Sequence, residues 1–340
     1  MLTHGFICNE KGEILSKSQK NFISPTKTIN AQGAEILRLW VAYEDYRSDI
    51  VFSQNIIKSL TESYRKIRNT FRFILGNLND FNPEQHQVGL DDMLELDRWM
   101  LSRFGRYLSR LERAYEDFNF HHVFHQTIDL VTKDLSSFYC DIVKDRMYCD
   151  APESLSRRAS QTVLFIVVRD MARILAPVLS FTAEDVWQHL PDYKDKPESV
   201  FLAGFPVAEP GWENADLMDR WDALREVRRN VTKVLEGLRV DGVIGNSLQA
   251  TVVVKASGTT LGLLKEIGDN DLADLFLVSS VTCEEGGEEV QVEAKKSEEP
   301  KCPRCWKQGH GIGKDASRPE LCSRCAQVIQ ELVQSGTLDI

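Results

Sequence analysis

The sequence predicts a mainly α-helical protein, in which a helical bundle is followed by a small α/β module and a C-terminal zinc-ribbon-like module. Three observations predict it. Apolar residues recur at helical spacing through most of residues 54–190, starting with Ile56, Leu60, Tyr64, Ile67, Phe71, Ile74 and Leu78. β-Branched residues then gather at 248–255, between helical patterns. Finally, Cys302, Cys305, Cys322 and Cys325 form two Cys-x-x-Cys knuckles with sixteen residues between them, the spacing of a closed tetrahedral Zn(II) site.

The elements follow in chain order. Residues 2–8 suit a short strand, and Asn9-Glu10-Lys11-Gly12 is turn chemistry. A loop with Ser16, Lys17 and Ser18 comes next; two hydroxyls and a mobile ammonium are a way to grip a phosphate, although such tripeptides usually sit in solvated loops. Ser24-Pro25 precedes one helix candidate, and residues 33–42 form another. After the stripe that begins at Ile56, a second helix carries Leu96, Met100, Phe104, Tyr107, Leu111, Tyr115 and Phe118. A third runs over about 121–146 and a fourth over about 154–175. Pro177 breaks the pattern, and Thr182 with Asp185 reads as a capping box opening a short helix through Trp187. Pro191, Pro197, Pro206 and Pro210 mark residues 191–212 as an irregular connector. Helix returns at 215–239, strands are expected at 248–255 and 276–282 with a short helix at 261–267, and 290–292 is a candidate third strand. Seven glutamates against two lysines make 284–299 a solvated hinge. The domains expected are 1–50, 51–212, 213–296 and 297–340.

At 340 residues, 42% hydrophobic and 27% charged, this is the composition of an ordinary globular chain of two or three domains. No apolar run approaches the roughly eighteen residues of a membrane span, and the start lacks the basic and apolar blocks of a signal peptide. Cys8, Cys140, Cys149 and Cys283 are scattered and read as reduced thiols of a cytoplasmic protein. That context favours Zn(II) over disulfides at the four-cysteine site, and a closed site argues for a structural ion. The net charge of −10 opposes indiscriminate nucleic-acid binding. Locally the balance reverses. Lys58, Arg65, Lys66, Arg68 and Arg72 stand against the single acid Glu62, and six basic residues against two acids between Lys301 and Cys325. The first group is either a solvated helix face or an RNA-facing one. In the second, Trp306 beside Arg304, Lys307 and Arg324 either covers the metal site or stacks on a base while the cations hold phosphates. No catalytic constellation stands out: there is no Gly-rich phosphate loop and no βαβ series.

Several motifs resemble one family. The loop around Ser16-Lys17-Ser18 is similar to the Lys-Met-Ser-Lys-Ser loop of class I aminoacyl-tRNA synthetases. The resemblance continues through Ser63-Tyr64-Arg65-Lys66-Ile67-Arg68-Asn69-Thr70, Asp97-Arg98-Trp99, Phe138-Tyr139, Lys144-Asp145-Arg146 and the run from Ala176 to Trp187. It ends in Lys301-Cys302-Pro303-Arg304-Cys305-Trp306, and it is greatest to the bacterial isoleucyl-tRNA synthetases, over nearly the whole chain. The chain departs from that family where Ile14-Leu15 replaces Lys-Met and Lys20 replaces Gly, so of the loop's two lysines only Lys17 is matched. The family's His-x-Gly-His motif does not occur in the sequence.

The resemblance therefore implies the C-terminal third of such an enzyme: a remnant of the catalytic domain, a helical anticodon-binding bundle, a junction domain and a zinc module. It implies ATP-phosphate contacts from Ser16, Lys17 and Ser18, one structural Zn(II) on the four cysteines, and RNA contacts from Arg65, Lys66, Arg68, Arg72, Arg304, Trp306, Lys307 and Arg324. The implied partner is tRNA(Ile), with ATP and Mg(II) serving the parent enzyme only. That parent is expected to be a monomer, and a separate N-terminal catalytic polypeptide is a further expected partner. The chain alone is expected to bind tRNA without charging it, whether it is a fragment, half of a split gene or a stand-alone tRNA-binding or regulatory paralogue.

Overall fold

The computed structural model describes residues 2–17, 24–309 and 311–338. Two compact units divide the chain: Met1–Asp141 with Arg158–Glu213, and Ile142–Arg157 with Asn214–Ile340. The mainly helical fold class holds.

In the first unit, the strand expected over 2–8 is only β1 (Ile7–Cys8), paired in parallel with β2 (Ile50–Val51). The turn after it is closed by Asn9, whose Oδ1 accepts from the N–H groups of Lys11 at 2.9 Å and Glu13 at 3.0 Å. Helix α1 (Pro25–Gln32) starts on Pro25, where a missing N–H costs nothing. Gly33, at φ 91°, turns the chain directly into α2 (Ala34–Tyr43). Helix α3 (Gln54–Gly76) is capped by Ser53, which accepts from the Ile56 N–H at 3.2 Å. It buries Ile57, Leu60, Ile67, Phe71 and Ile74, one residue out of step with the expected stripe at its start, where Ile56 and Tyr64 are half-buried.

Helix α4 (Glu95–Glu116) and α5 (Phe120–Asp129) follow, separated by Phe118 at φ 56°. The third expected helix differs in kind. Residues Leu130–Tyr139 are π-helical before α6 (Cys140–Cys149) resumes the α-form. The wider turn places Asp134 and Tyr139 inward, where Asp134 receives the Arg103 guanidinium at 2.8 Å and Tyr139 donates to Asp97 at 2.6 Å. Asp97 is fully buried and also accepts from Ser160 at 3.3 Å on α7 (Leu155–Leu175). Trp99 lies edge-on to Phe138 at 5.0 Å in the same layer.

Helix α8 (Ser180–Gln188) corrects the capping-box expectation, because Thr182 lies inside its first turn. The acceptor comes from α2 instead: Glu35 Oε1 takes the N–H of Phe181 at 2.7 Å and of Thr182 at 3.4 Å. A carboxylate at a helix start is favoured by the helix dipole, so a buried acid takes the place of a local cap. The connector is irregular as expected, with short 3-10 turns at Val200–Leu202 and Pro210–Trp212, and Trp187 Nε1 pins it by donating to the Pro197 carbonyl at 2.8 Å.

In the second unit, Asn214 caps α9 (Ala215–Val240) by accepting from Leu217 N–H at 2.9 Å. The sheet is three-stranded, with β3 (Ala250–Ala256) central. β4 (Ser280–Glu285) is parallel to it and β5 (Gln291–Lys296) antiparallel. Helices α10 (Gly258–Ile267) and α11 (Asp269–Phe276) link β3 to β4. Two expectations are corrected here. The second strand starts at Ser280, because residues up to Phe276 are helical and Leu277 turns the chain at φ 58°. Much of the supposed hinge 284–299 is strand: Val292 and Ala294 pair with Val254 and Val252, while Glu293 reaches Lys255 at 2.5 Å. Charge on the outward positions of an edge strand hid the apolar alternation.

Two outcomes follow. Tyr139→Phe removes one donor from a buried carboxylate and is expected to cost about 1–3 kcal/mol, read as a lowered urea midpoint. Burial raises the Glu35 carboxyl above its ordinary 4.5, against the N–H groups of Phe181 and Thr182 and the Arg38 charge. The folded state then binds the proton more tightly than the unfolded one, so stability falls as pH rises from 4.5 through the raised value. Across that window the wild-type midpoint should decline relative to Glu35→Gln; a pH-independent difference would contradict it.

Candidate metal centre and nucleic-acid interface

The second knuckle is made by a helix start and the first by a turn. The Trp306 N–H returns to the Cys302 carbonyl at 2.9 Å, so Cys302 and Cys305 face the same side of one tight turn. Cys322 is the N-cap of α12 (Ser323–Gln334), and Cys325 lies one turn in. Gly311, at φ 73°, passes Ser323 where an added Cβ would come within 2.7 Å of its Oγ. All four thiols are buried, and their Sγ atoms lie within 4.8 Å of one another. Tetrahedral M–S bonds of about 2.3 Å imply S···S edges of about 3.8 Å; Cys305 and Cys322 are 3.8 Å apart. The donor set fits one closed, four-thiolate metal ion with no open position.

The thiols are prepared unequally. Burial opposes ionisation of Cys302, yet hydrogen bonds from the backbone N–H groups of Cys305, Cys322 and Arg304 bring it down to about 7. For Cys305 a hydrogen bond with Cys322 favours the thiolate, but that with Cys325 and burial outweigh it and raise the group to about 11. Cys322, hydrogen-bonded to Cys305 and buried, is raised. So is Cys325, where the pull of Cys305 is outweighed by Cys322 and burial. Four sulfurs this close cannot all carry charge without a cation between them.

Three of the four module residues expected to meet RNA are engaged within this unit. Arg304 Nη1 donates to the Cys149 carbonyl at 2.5 Å and to Cys325 Sγ at 3.6 Å. Lys307 is buried and ion-paired to Asp274 of α11. Arg324 grips Asp145 with both terminal nitrogens, one at 2.9 Å, and lies 3.4 Å from Asp150. Burial pushes the Asp145 carboxyl up, but the Arg324 guanidinium prevails and holds it below its ordinary value. Burial also lifts the neighbouring thiol Cys149 to about 12. Trp306 differs: it is 54% exposed, sits in the left-handed region at φ 69°, and has the Lys301 ammonium over its ring at 4.7 Å.

In the first unit, Arg65, Lys66, Arg68 and Arg72 are all exposed along α3. Arg65 pairs with Glu62 at 2.8 Å, a surface contact worth little. Arg68 and Arg72 line a cleft of about 780 Å³ with Tyr64 and with Phe181 and His189 from the α8 region. Lys17 is exposed and Ser16 half-buried, beyond the bridge between Cys8 and Ile14; Ser18 lies outside the described residues. Sequence reasoning passed over Asp145, Asp150 and Asp274 as partners of module cations, and Glu35 as a cap. Only Asp145 carried a signal, within Lys144-Asp145-Arg146.

Two family models match. Residues 97–254 match the anticodon-binding domain of tRNA ligase, and residues 1–53 match tRNA synthetases class I (I, L, M and V). Among curated relatives, an isoleucine--tRNA ligase of Carboxydothermus hydrogenoformans is 44% identical over 339 residues, which is 98% of this chain and 36% of the relative. That of Moorella thermoacetica is 41% identical, covering 99% and 37% respectively. The chain thus spans little more than a third of the length of these relatives. A solved structure, the LeuRS-tRNA-LeuAMS ternary complex from Agrobacterium radiobacter K84, is 12% identical with a TM-score of 0.47, over 79% of this chain and 29% of that one, a likeness too slight to argue from.

Elemental analysis is expected to find one metal ion per chain, absent from Cys322→Ser. At neutral pH roughly three to four protons should leave as the metal binds, since three thiols are raised and one is half-ionised. Calorimetric titration in two buffers of different ionisation enthalpy measures that number.

Proposed function

The chain is a member of the isoleucine--tRNA ligase family of class I synthetases, matching the C-terminal part of its longer relatives, and on that premise we propose that it is the part of such a ligase that grips tRNA. The match of 97–254 to an anticodon-binding domain is the observation that carries this reading. The whole enzyme would join isoleucine to tRNA(Ile) with ATP in the cytoplasm. No helix among the described residues is long and apolar enough to cross a membrane.

The position of each part supports a role for it. Arg65, Lys66, Arg68 and Arg72 present cations along one exposed helix, suited to the phosphates of an RNA backbone. Trp306 offers a flat exposed face for stacking. Arg304, Lys307 and Arg324 would serve that contact by holding the module in place rather than by touching phosphate. The metal would be Zn(II), which four thiolates select and which supplies structure, not chemistry. Lys17 with Ser16 and Ser18 would meet ATP phosphates in the complete active site. Residues 1–50 would belong to the catalytic domain, with 51–212, 213–296 and 297–340 as bundle, junction and zinc module. The catalytic partner, whether on the same chain or a separate polypeptide, would supply the His-x-Gly-His motif that these 340 residues lack.

Titrating tRNA(Ile) by fluorescence anisotropy at several salt concentrations tests this. Affinity should fall steeply with salt, and replacing Arg65, Lys66, Arg68 and Arg72 by Ala should flatten the log–log slope by roughly 0.7–0.9 for each phosphate that is no longer neutralised. Salt-independent binding, or none, would refute the reading. Charging of tRNA should appear only when the catalytic part is added.

A further inference from the structure

The cleft between α3 and α8 is built in a way the basic stripe alone does not require. One wall carries Arg68 and Arg72, one helical turn apart, and neither takes part in an ion pair or hydrogen bond among the described residues. Phe181, 66% exposed, and His189 stand on the other. Phe71, Leu75, Asn79 and Val186 also line the cleft. An exposed ring opposite two unpaired guanidiniums is suited to a ligand that is flat and anionic.

The walls are fixed before any ligand arrives. Tyr64 of α3 and Thr182 of α8 share a hydrogen bond at 3.0 Å. Glu35 occupies the N–H groups of Phe181 and Thr182, so the start of α8 is already satisfied. An anion entering the cleft therefore finds its charge partner in Arg68 and Arg72, not in the helix end. Of the two acids in the lining, Glu35 caps α8; Asp185 is an exposed carboxylate, and the His189 ring beside it meets the Asp185 backbone carbonyl at 2.7 Å.

We propose that this cleft takes one unstacked nucleotide of an RNA strand, its phosphate on Arg68 and Arg72 and its base on Phe181. The proposal deepens the tRNA-binding reading and rests on it. An extruded nucleotide is a flat ring and a negative charge held a few ångströms apart, the combination the two walls present. A base-paired stem offers the same phosphates but keeps its bases stacked, so it can meet the arginines without reaching Phe181.

The test compares a ten-nucleotide single-stranded RNA with a hairpin of equal charge, each titrated against the full chain. Phe181→Ala removes an exposed ring and little packing. It is expected to weaken the single strand roughly five- to a hundredfold and to leave the hairpin unchanged. Arg68→Ala with Arg72→Ala should weaken both. 2-Aminopurine in the single strand should be quenched on binding, and Phe181→Ala should abolish the quenching. Equal binding of the single strand by wild type and Phe181→Ala, with quenching retained, would overturn the proposal. So would failure of the single strand to bind while whole tRNA binds; loss of tRNA binding altogether would instead remove the reading beneath it.

Discussion

A charge withdrawn from water must be answered, and that constraint orders both units. In the first, Asp97 is met by Tyr139 and Ser160, Asp134 by Arg103, Asp170 by Arg169 and Arg173, and Glu35 by two helix N–H groups. In the second, Asp145 is met by Arg324, and the buried Lys307 by the more exposed Asp274. Leaving any of these acids without its partner costs more than the pair itself contributes. The pairs therefore act as registers, each tolerating one arrangement of its helices. They also sort the cations. Those that answer buried acids are structural, while Arg68 and Arg72, with no acid to answer among the described residues, are the ones assigned above by proposal to a ligand.

The four-thiol centre is the same constraint at its most severe. Four sulfurs within 4.8 Å in a small module with little apolar core could all carry charge only around a cation, and they fit one metal ion. What surrounds them extends the metal's influence. Arg304 joins Cys325 to the Cys149 backbone, and Arg324, between the last two ligands, holds Asp145. An ion bound there would order the knuckles and, with them, the cations that fasten them to the rest of their unit. Trp306 stays in water, held in a left-handed backbone by the turn that makes the first knuckle.

Much of this was legible in the residues. Helix spans come from a 3.6-residue apolar period, a local property, and α4, α7 and α9 lie where that period places them. The two knuckles are equally local, since ligand spacing is a property of a short stretch of chain. The strand β5 is hidden among glutamates because an edge strand keeps charge on its outer positions and its partner is remote: Glu293 meets Lys255, 38 residues earlier. The π-helical turn left no trace, since its inward residues Asp134 and Tyr139 are explained only by partners on other helices.

The sequence by itself determined that the chain is helical, that it ends in a four-cysteine knot, and which family it resembles, because each depends on spacing between near neighbours. Only the tertiary structure decided which of its many cations are spent. Whether an arginine is free or paired depends on acids far along the chain: Asp145 lies 179 residues from Arg324. Pairing at that distance is set by packing, and no local pattern records it.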